Sequence, residues 1–312
     1  MSTPADRATD PADWTSARER SSPRMLALMR WIALTAGRRV SRWVLHPISL
    51  YFVVFGGEAA RQSRLYLTRV LGRPAGFRDV YRHIHTFAAT LLDRVYLLQD
   101  RLSEFHIEHS DVRWIDERIA RGEGQFMIGA HFGSFEALRA LGADRGKRVA
   151  MVMYEDNARQ INETLAAIAP NAQPHTIALG RLGAMLQLRS WLDEGGVAGM
   201  LADRTLLGPA MRSRTLVLPF LGAPARFSDG PFRLAAMLRR PVVFIAGVYR
   251  GGNRYELRFE QLADFSAAQQ GDTDALIRAT VERYVAQLEA LCREAPYNWF
   301  NFFDFWAAAD AS

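Results

Sequence analysis

The strongest constraint on the fold is the regular alternation of short apolar runs with helical segments through the middle of the chain. Runs at 125–130, 149–153, 176–179 and 197–201 are short and rich in Val, Ile, Leu and Met, whereas 134–141, 157–168 and 182–194 carry apolar residues at helical spacing. A strand, a helix and another strand form the repeat of a parallel sheet covered on its faces. Further strands are predicted at 216–220 and 242–248 with a helix at 229–238 between them, an antiparallel edge strand at 255–259, and a closing helix at 272–293. Two helices, 79–101 and 112–121, precede the alternation. The expected fold is therefore α/β, with a mixed, largely parallel sheet flanked by helices and no internal repeat.

Residues 1–23 are polar, carry Pro4, Pro11 and Pro23, and lack an apolar h-region, so they read as a flexible leader and not a secretory signal. The basic charge is concentrated in the adjoining segment. Between 24 and 78 ten arginines face one acid, Glu58. Interleaved with them are apolar stretches at 25–36 and 43–55, neither giving the run of about 18 uncharged residues that marks a spanning helix. A basic, Trp-bearing amphipathic segment is expected to form a helical hairpin in a membrane interface, its arginines against anionic headgroups. A nucleic-acid-binding arm and a plain solvated basic face are the competing readings, and no nucleic-acid motif accompanies the charge. The chain thus divides into a leader (1–23), a basic membrane-associated helical segment (24–78) and an α/β domain (79–312), for which 49% hydrophobic residues supply an ample core. Cys292 is the only cysteine, which excludes an internal disulfide and a multi-cysteine metal site and fits a reducing compartment.

Chemistry concentrates at Gly129-Ala130-His131-Phe132-Gly133-Ser134-Phe135-Glu136. His131 ends a predicted strand, and the following helix start brings Glu136 back towards it. A carboxylate that accepts the Nδ1 proton leaves Nε2 as a free base for an alcohol and stabilises the imidazolium that forms. Ser134, on the helix start, reads as a cap. Asp203 and Arg204 follow the run 197–201 and fall at the same sheet edge, where Arg204 suits a phosphate through two aligned donors. In Ser228-Asp229-Gly230-Pro231 a helix begins whose free N–H groups suit an anion. Each feature also has a structural reading: a satisfied histidine, a polar strand-to-loop transition, a turn and cap.

His131-x4-Glu136 after a Gly-Ala strand end resembles the lysophospholipid acyltransferase superfamily. The neighbouring segments, Leu201-Ala202-Asp203-Arg204 and Phe220-Leu221-Gly222-Ala223-Pro224-Ala225, resemble more narrowly the lipid A biosynthesis lauroyl/myristoyl acyltransferase family over roughly residues 40 to 306. The aromatic ending from Tyr297 to Trp306 is similar to the branch found with aryl polyene and xanthomonadin pathways. The resemblance implies an O-acyltransferase on the cytoplasmic face of the cell inner membrane. It would move an acyl chain from an acyl carrier protein thioester to a hydroxyl of a lipid or glycolipid, with His131 and Glu136 catalytic and no metal or cofactor. Asp203, Arg204, Asn157, Ser228 and Gly230 are then expected to bind substrate. Glu155 stands where the family shows a basic residue, and 169–175 lacks the family's arginine, which implies an acceptor other than a typical phosphorylated sugar. The alternatives are a glycerophospholipid acyltransferase using acyl-CoA and a non-catalytic lipid-binding scaffold. Gly-x-Ser-x-Gly, His-Glu-x-x-His and Gly-x4-Gly-Lys-Ser/Thr motifs are absent from the sequence.

Overall fold

The computed structural model describes residues 23–154, 175–204, 215–266 and 273–306, the side chains of 23–30 and 32 excepted. Three helices come first: α1 (Pro23–Phe55), α2 (Glu58–Leu71) and α3 (Phe77–Leu97). The alternating part comes next as β1 (His106–His109), α4 (Arg113–Ala120), β2 (Gln125–Gly129), α5 (Phe135–Asp144), β3 (Val149–Tyr154), β4 (His175–Leu179), α6 (Ala184–Asp193) and β5 (Val197–Leu201). The chain closes with β6 (Thr215–Phe220), β7 (Ala223–Ser228), α7 (Gly230–Met237), β8 (Pro241–Tyr249), β9 (Arg254–Asp264) and α8 (Thr273–Glu294).

The main sheet has seven strands in the order β1-β9-β8-β2-β5-β3-β4, and β8 with β9 is its antiparallel pair. A mixed α/β fold with a mostly parallel sheet between helices is what the sequence predicts. Side chains of period two divide the core. Phe126, Ile128 and Phe244 face one side with Leu288 of α8, while Val243 and Ile245 face the other with Ile115 of α4 and the partly buried Phe135 and Leu138 of α5.

Several expectations are corrected. The predicted strand at 216–220 exists but leaves the main sheet and pairs with β7 through the two-residue turn Leu221–Gly222, both at positive φ (50° and 82°). That geometry belongs to a tight hairpin of type I′. The strand expected at an edge, 255–259, is β9 and lies inside the sheet, because β1 pairs with its outer side and is the exposed edge instead. The helix expected at 79–101 ends at Leu97, and the one expected at 157–168 lies outside the described residues.

The basic segment is two helices that meet at a bend of 91°, and α1 is itself kinked at Gly37 (φ 78°). No single helix among the described residues is long and apolar enough to cross a membrane, whereas the bent pair meets that test by length and composition. Its arginines do not all point outward. The Arg38 side chain is 12% exposed and donates to both oxygens of fully buried Asp93 at 2.8 and 2.9 Å, and Arg42 donates to the Tyr249 hydroxyl at 2.7 Å. Arg61 and Arg73 pair with Glu58 and Asp79. A buried carboxylate on α3 recruits Arg38 because an unpaired charge there is costly. The 91° bend is not the hairpin expected, and beside exposed Arg39, Arg61, Arg64 and Arg69 the surface of α1 carries exposed apolar and aromatic side chains: Trp31, Val40, Trp43, Leu50, Tyr51, Val54 and Phe55.

Candidate active site

Strand register builds the site. β2 and β5 are adjacent parallel strands with Gly129 opposite Leu201, and the Ala202 N–H continues the ladder by donating to the Gly129 carbonyl at 3.0 Å. Two residues further along each strand stand His131 and Asp203. Equal offsets in a parallel pair set them side by side at the carboxyl end of the sheet, where α/β folds place their ligands.

Asp203 is buried and takes three donors. His131 Nδ1 lies 2.8 Å from Oδ1, while the His131 backbone N–H and Trp299 Nε1 donate to Oδ2 at 3.0 and 2.9 Å. Burial alone would raise this carboxyl's pKa. The His131 imidazole, the Arg204 charge and the Trp299 N–H outweigh it, so the group is held below its usual range. An ionised Asp203 fixes the proton of a neutral His131 on Nδ1, which leaves the Nε2 lone pair free. The His131 side chain sits in a recess yet keeps 31% of its surface open. Burial first and then the Arg204 charge lower the imidazole's pKa from 6.5, against the pull of Asp203. His131 is thus a neutral base at neutral pH, with a carboxylate behind it to receive the charge of protonation.

The turn after His131 is locked by main-chain bonds. Gly133 and Ser134 N–H groups donate to the carbonyls of Asn298 and Gly247 at 2.8 Å, and Phe300 N–H donates to the His131 carbonyl at 2.7 Å. Gly133 has φ 59°, and a Cβ there would stand 1.8 Å from the Gly247 oxygen, so the approach requires glycine. Ser134 caps α5 by accepting from Ala137 N–H at 3.2 Å, which agrees with the role expected of it.

Glu136 is the main correction. The sequence pairs it with His131 Nδ1, but that position belongs to Asp203, which the expectation had assigned to substrate. Glu136 lies in the first turn of α5, which packs on α3, and there it forms an ion pair with Arg94 Nε at 2.8 Å whose alignment falls short of a hydrogen bond. The positive charges of Arg204 and Arg94 both act on His131 and disfavour its protonated form. Two guanidiniums from different elements therefore stand near the imidazole, suited to negative charge that develops there.

The remaining predicted residues divide. Arg204 donates to the Phe300 carbonyl at 3.4 Å and lies over the Phe303 ring at 5.6 Å, beside the His131–Asp203 pair. Ser228 Oγ accepts from Gly230 N–H at 3.2 Å, a local closure at the start of α7. This is the turn-and-cap reading, and no described contact joins these two residues to His131. Asn157 lies outside the described residues.

Sequence reasoning missed the support from 298–300. The Asn298 amide clamps both backbone groups of Tyr249, accepting at 2.8 Å and donating at 3.2 Å. Fully buried His83 donates from Nε2 to the Trp299 carbonyl at 2.8 Å and bonds Ser63 at 2.7 Å through Nδ1. Burial holds its pKa down at about 4, so it is a neutral structural histidine. Trp299, Phe305 and Trp306 pack against Phe220 in the core, while buried Phe300 and half-buried Phe302 flank the exposed Phe87 ring at separations of 5.2 Å. The aromatic ending is thus core in one part and wall in another. Its signal was visible as composition, but its contacts join distant positions, 49 residues apart for Asn298 with Tyr249 and 216 for Trp299 with His83. Among the described residues no group of three or more His, Cys, Asp or Glu side chains is placed to hold a metal ion.

Residues 25–307 match the family described as bacterial lipid A biosynthesis acyltransferase. No curated protein matches the chain. With a match over nearly its whole length, the chain belongs to the bacterial lipid A biosynthesis acyltransferase family and is an acyltransferase of lipid biosynthesis, with a lipid acceptor and an acyl donor.

Proposed function

We propose that this enzyme acylates a hydroxyl of a lipid or glycolipid from an acyl carrier protein thioester, working on the cytoplasmic face of the inner membrane. The observation that carries the reading is the hydrogen bond of His131 Nδ1 to buried Asp203 at 2.8 Å in a recess of a lipid acyltransferase fold. Nε2 takes the proton of the acceptor hydroxyl as its oxygen attacks the thioester carbonyl. The tetrahedral oxyanion collapses, the C–S bond breaks, and the imidazolium returns the proton to the thiolate. Asp203 orients the ring and balances its charge. Glu136, the acidic member of the His-x4-Glu pattern, serves the same step through Arg94, which with Arg204 offers positive charge to the oxyanion or to a phosphate of either substrate.

The exposed apolar and aromatic face of α1 supports membrane docking, with apolar area contributing alongside charge. The row Phe87, Phe300 and Phe302 supports a flat, rigid chain lying beside the site and so the aryl polyene branch. The test has two parts. His131→Ala is expected to lose roughly 10² to 10⁴ in transfer rate with its fold intact, read as thiol release from an acyl carrier protein thioester. In a strain lacking its late lipid A acyltransferase, lipid A mass profiles are expected to stay under-acylated when this gene is supplied. Full restoration would return the enzyme to the ordinary lipid A acceptor, and a folded, active His131→Ala protein would remove the base.

A further inference from the structure

Away from the recess, α1 and α3 enclose a second polar cluster that the acyl-transfer chemistry does not use. Arg42, His46 and Ser49 succeed one another at helical spacing on α1, and Tyr81 and His85 lie one turn apart on α3. The His46 and His85 rings stack with centroids 4.6 Å apart, and His46 Nδ1 meets the Tyr81 hydroxyl at 2.6 Å. With that hydroxyl donating, the His46 proton sits on Nε2 and the ring becomes a donor.

Three polar atoms of this cluster are buried without a hydrogen-bond partner among the described residues: Arg42 Nη1, His85 Nε2 and Ser49 Oγ. Ser49 is fully buried. Such atoms carry a desolvation cost that a ligand acceptor would remove. The charge is unbalanced in the same sense. Asp93, the buried acid on this side of α3, feels the Arg42 charge but is already hydrogen-bonded by two Arg38 nitrogens and by the Tyr255 hydroxyl at 2.9 Å, while the Arg42 hydrogen bond goes to the neutral Tyr249 hydroxyl. Burial first, and then the nearby His46 and Arg42, push the His85 pKa down to about 4. Among the described residues no carboxylate is hydrogen-bonded to Arg42 Nη1 or His85 Nε2.

His46 is exposed and opens the cluster to the surface beside Trp43, whose ring is 5.8 Å away and whose side chain is among the most exposed apolar groups of the protein. Guanidinium, imidazole and hydroxyl donors next to an exposed indole suit a phosphate lying at the boundary between water and acyl chains. The geometry points to a binding site for the phosphate of an anionic lipid headgroup, formed by Arg42, His46 and His85. It rests on the membrane-docking reading and narrows it from a diffuse basic face to a built site.

The test is sedimentation of the full chain with phosphatidylcholine vesicles and with mixed phosphatidylcholine–phosphatidylglycerol vesicles. The wild type is expected to bind the mixed vesicles at least about tenfold more tightly, given charge-assisted hydrogen bonds. Arg42→Gln and the surface variant His46→Gln should lose most of that preference, and Arg39→Gln, an exposed arginine outside the cluster, should keep it. Equal loss in all three variants would mean general electrostatics and overturn the site. Equal wild-type binding to both vesicles would also overturn it while leaving membrane docking in place. Binding to neither sinks both readings. Imidazole resonances of His46 and His85 that move with inorganic phosphate but not with mixed vesicles would overturn the lipid as the source.

Discussion

Asp203→Asn isolates what the carboxylate behind His131 contributes. The substitution keeps shape and volume but replaces one of two acceptor oxygens with an NH₂ donor. Oδ2 takes the His131 backbone N–H and Trp299 Nε1, and Oδ1 takes His131 Nδ1. An asparagine keeps the first two bonds only by placing its oxygen at the Oδ2 position, which turns the NH₂ towards Nδ1. Nδ1 must then become the acceptor, the proton moves to Nε2, and the nitrogen meant to act as base is occupied. The wrong tautomer and the loss of charge balance are expected to lower the rate by roughly 10² to 10⁴, or about 3–5.5 kcal/mol in the barrier. Stability should fall far less, about 1–3 kcal/mol, because the two bonds that tie 131 and 299 together survive.

The assay is thiol release from an acyl carrier protein thioester, with thermal unfolding as the control for folding. A second readout is the ¹⁵N shifts of the His131 ring, which should report the proton on Nδ1 in the wild type and on Nε2 in the variant. Glu136→Gln is expected to retain more activity and to leave the His131 tautomer unchanged, since its carboxylate meets Arg94. A folded Asp203→Asn enzyme within about threefold of the wild-type rate, well short of the smallest loss expected for a mispositioned base, would refute the assignment of Asp203 as the orienting group.

Burial and Arg204 lower the His131 pKa from 6.5, so the acid limb of kcat/KM should fall below that pH, activity rising as the imidazole deprotonates; in Asp203→Asn the limb should move lower still, because the group that favours the imidazolium is gone. Arg38→Met leaves the buried Asp93 carboxylate without its guanidinium and is expected to cost about 3–5 kcal/mol in urea unfolding. Burial already raises the Asp93 pKa against the effect of Arg38, so that deficit should be largest at neutral pH and shrink in acid as the folded state takes up the proton; a deficit independent of pH contradicts the assignment. Gly133→Ala sets a Cβ against the Gly247 carbonyl at a positive φ, so a lower melting temperature and lost transfer should appear together, and an unchanged variant would mean that the turn yields more easily than its main-chain bonds imply.

How far the sequence reveals this molecule depends on whether a feature is local. The runs at 125–130 and 197–201 match β2 and β5 closely because buried parallel strands are apolar on both faces. The run at 216–220 was equally legible as a strand, but period and composition carry no information about which sheet a strand joins. β1 left no apolar signal, since His106–His109 is a largely exposed edge strand. Which of the arginines of 24–78 stays on the surface is hidden for a similar reason. A charge count describes a solvated face, whereas Arg38 is drawn inside by an aspartate 55 positions away.

The site divides along the same line. His131 was legible because a histidine at the end of an apolar strand has few other places to project. Its partner was not, because a five-residue spacing states only that two side chains leave the same turn, and a helix start rotates the second away. Parallel register is the stricter constraint. Once Gly129 stands opposite Leu201, residues two further on in each strand must be neighbours, and the bond from Ala202 N–H to the Gly129 carbonyl extends that alignment to the catalytic edge. Glu136 is then left to α3, where the nearest charge is Arg94. Of the two carboxylates, Asp203 thus bonds the imidazole directly, whereas Glu136 meets Arg94, whose charge acts on it. Exchanging either for its amide should damage a different measurable property, the His131 tautomer in one case and the stabilisation of negative charge by Arg94 in the other.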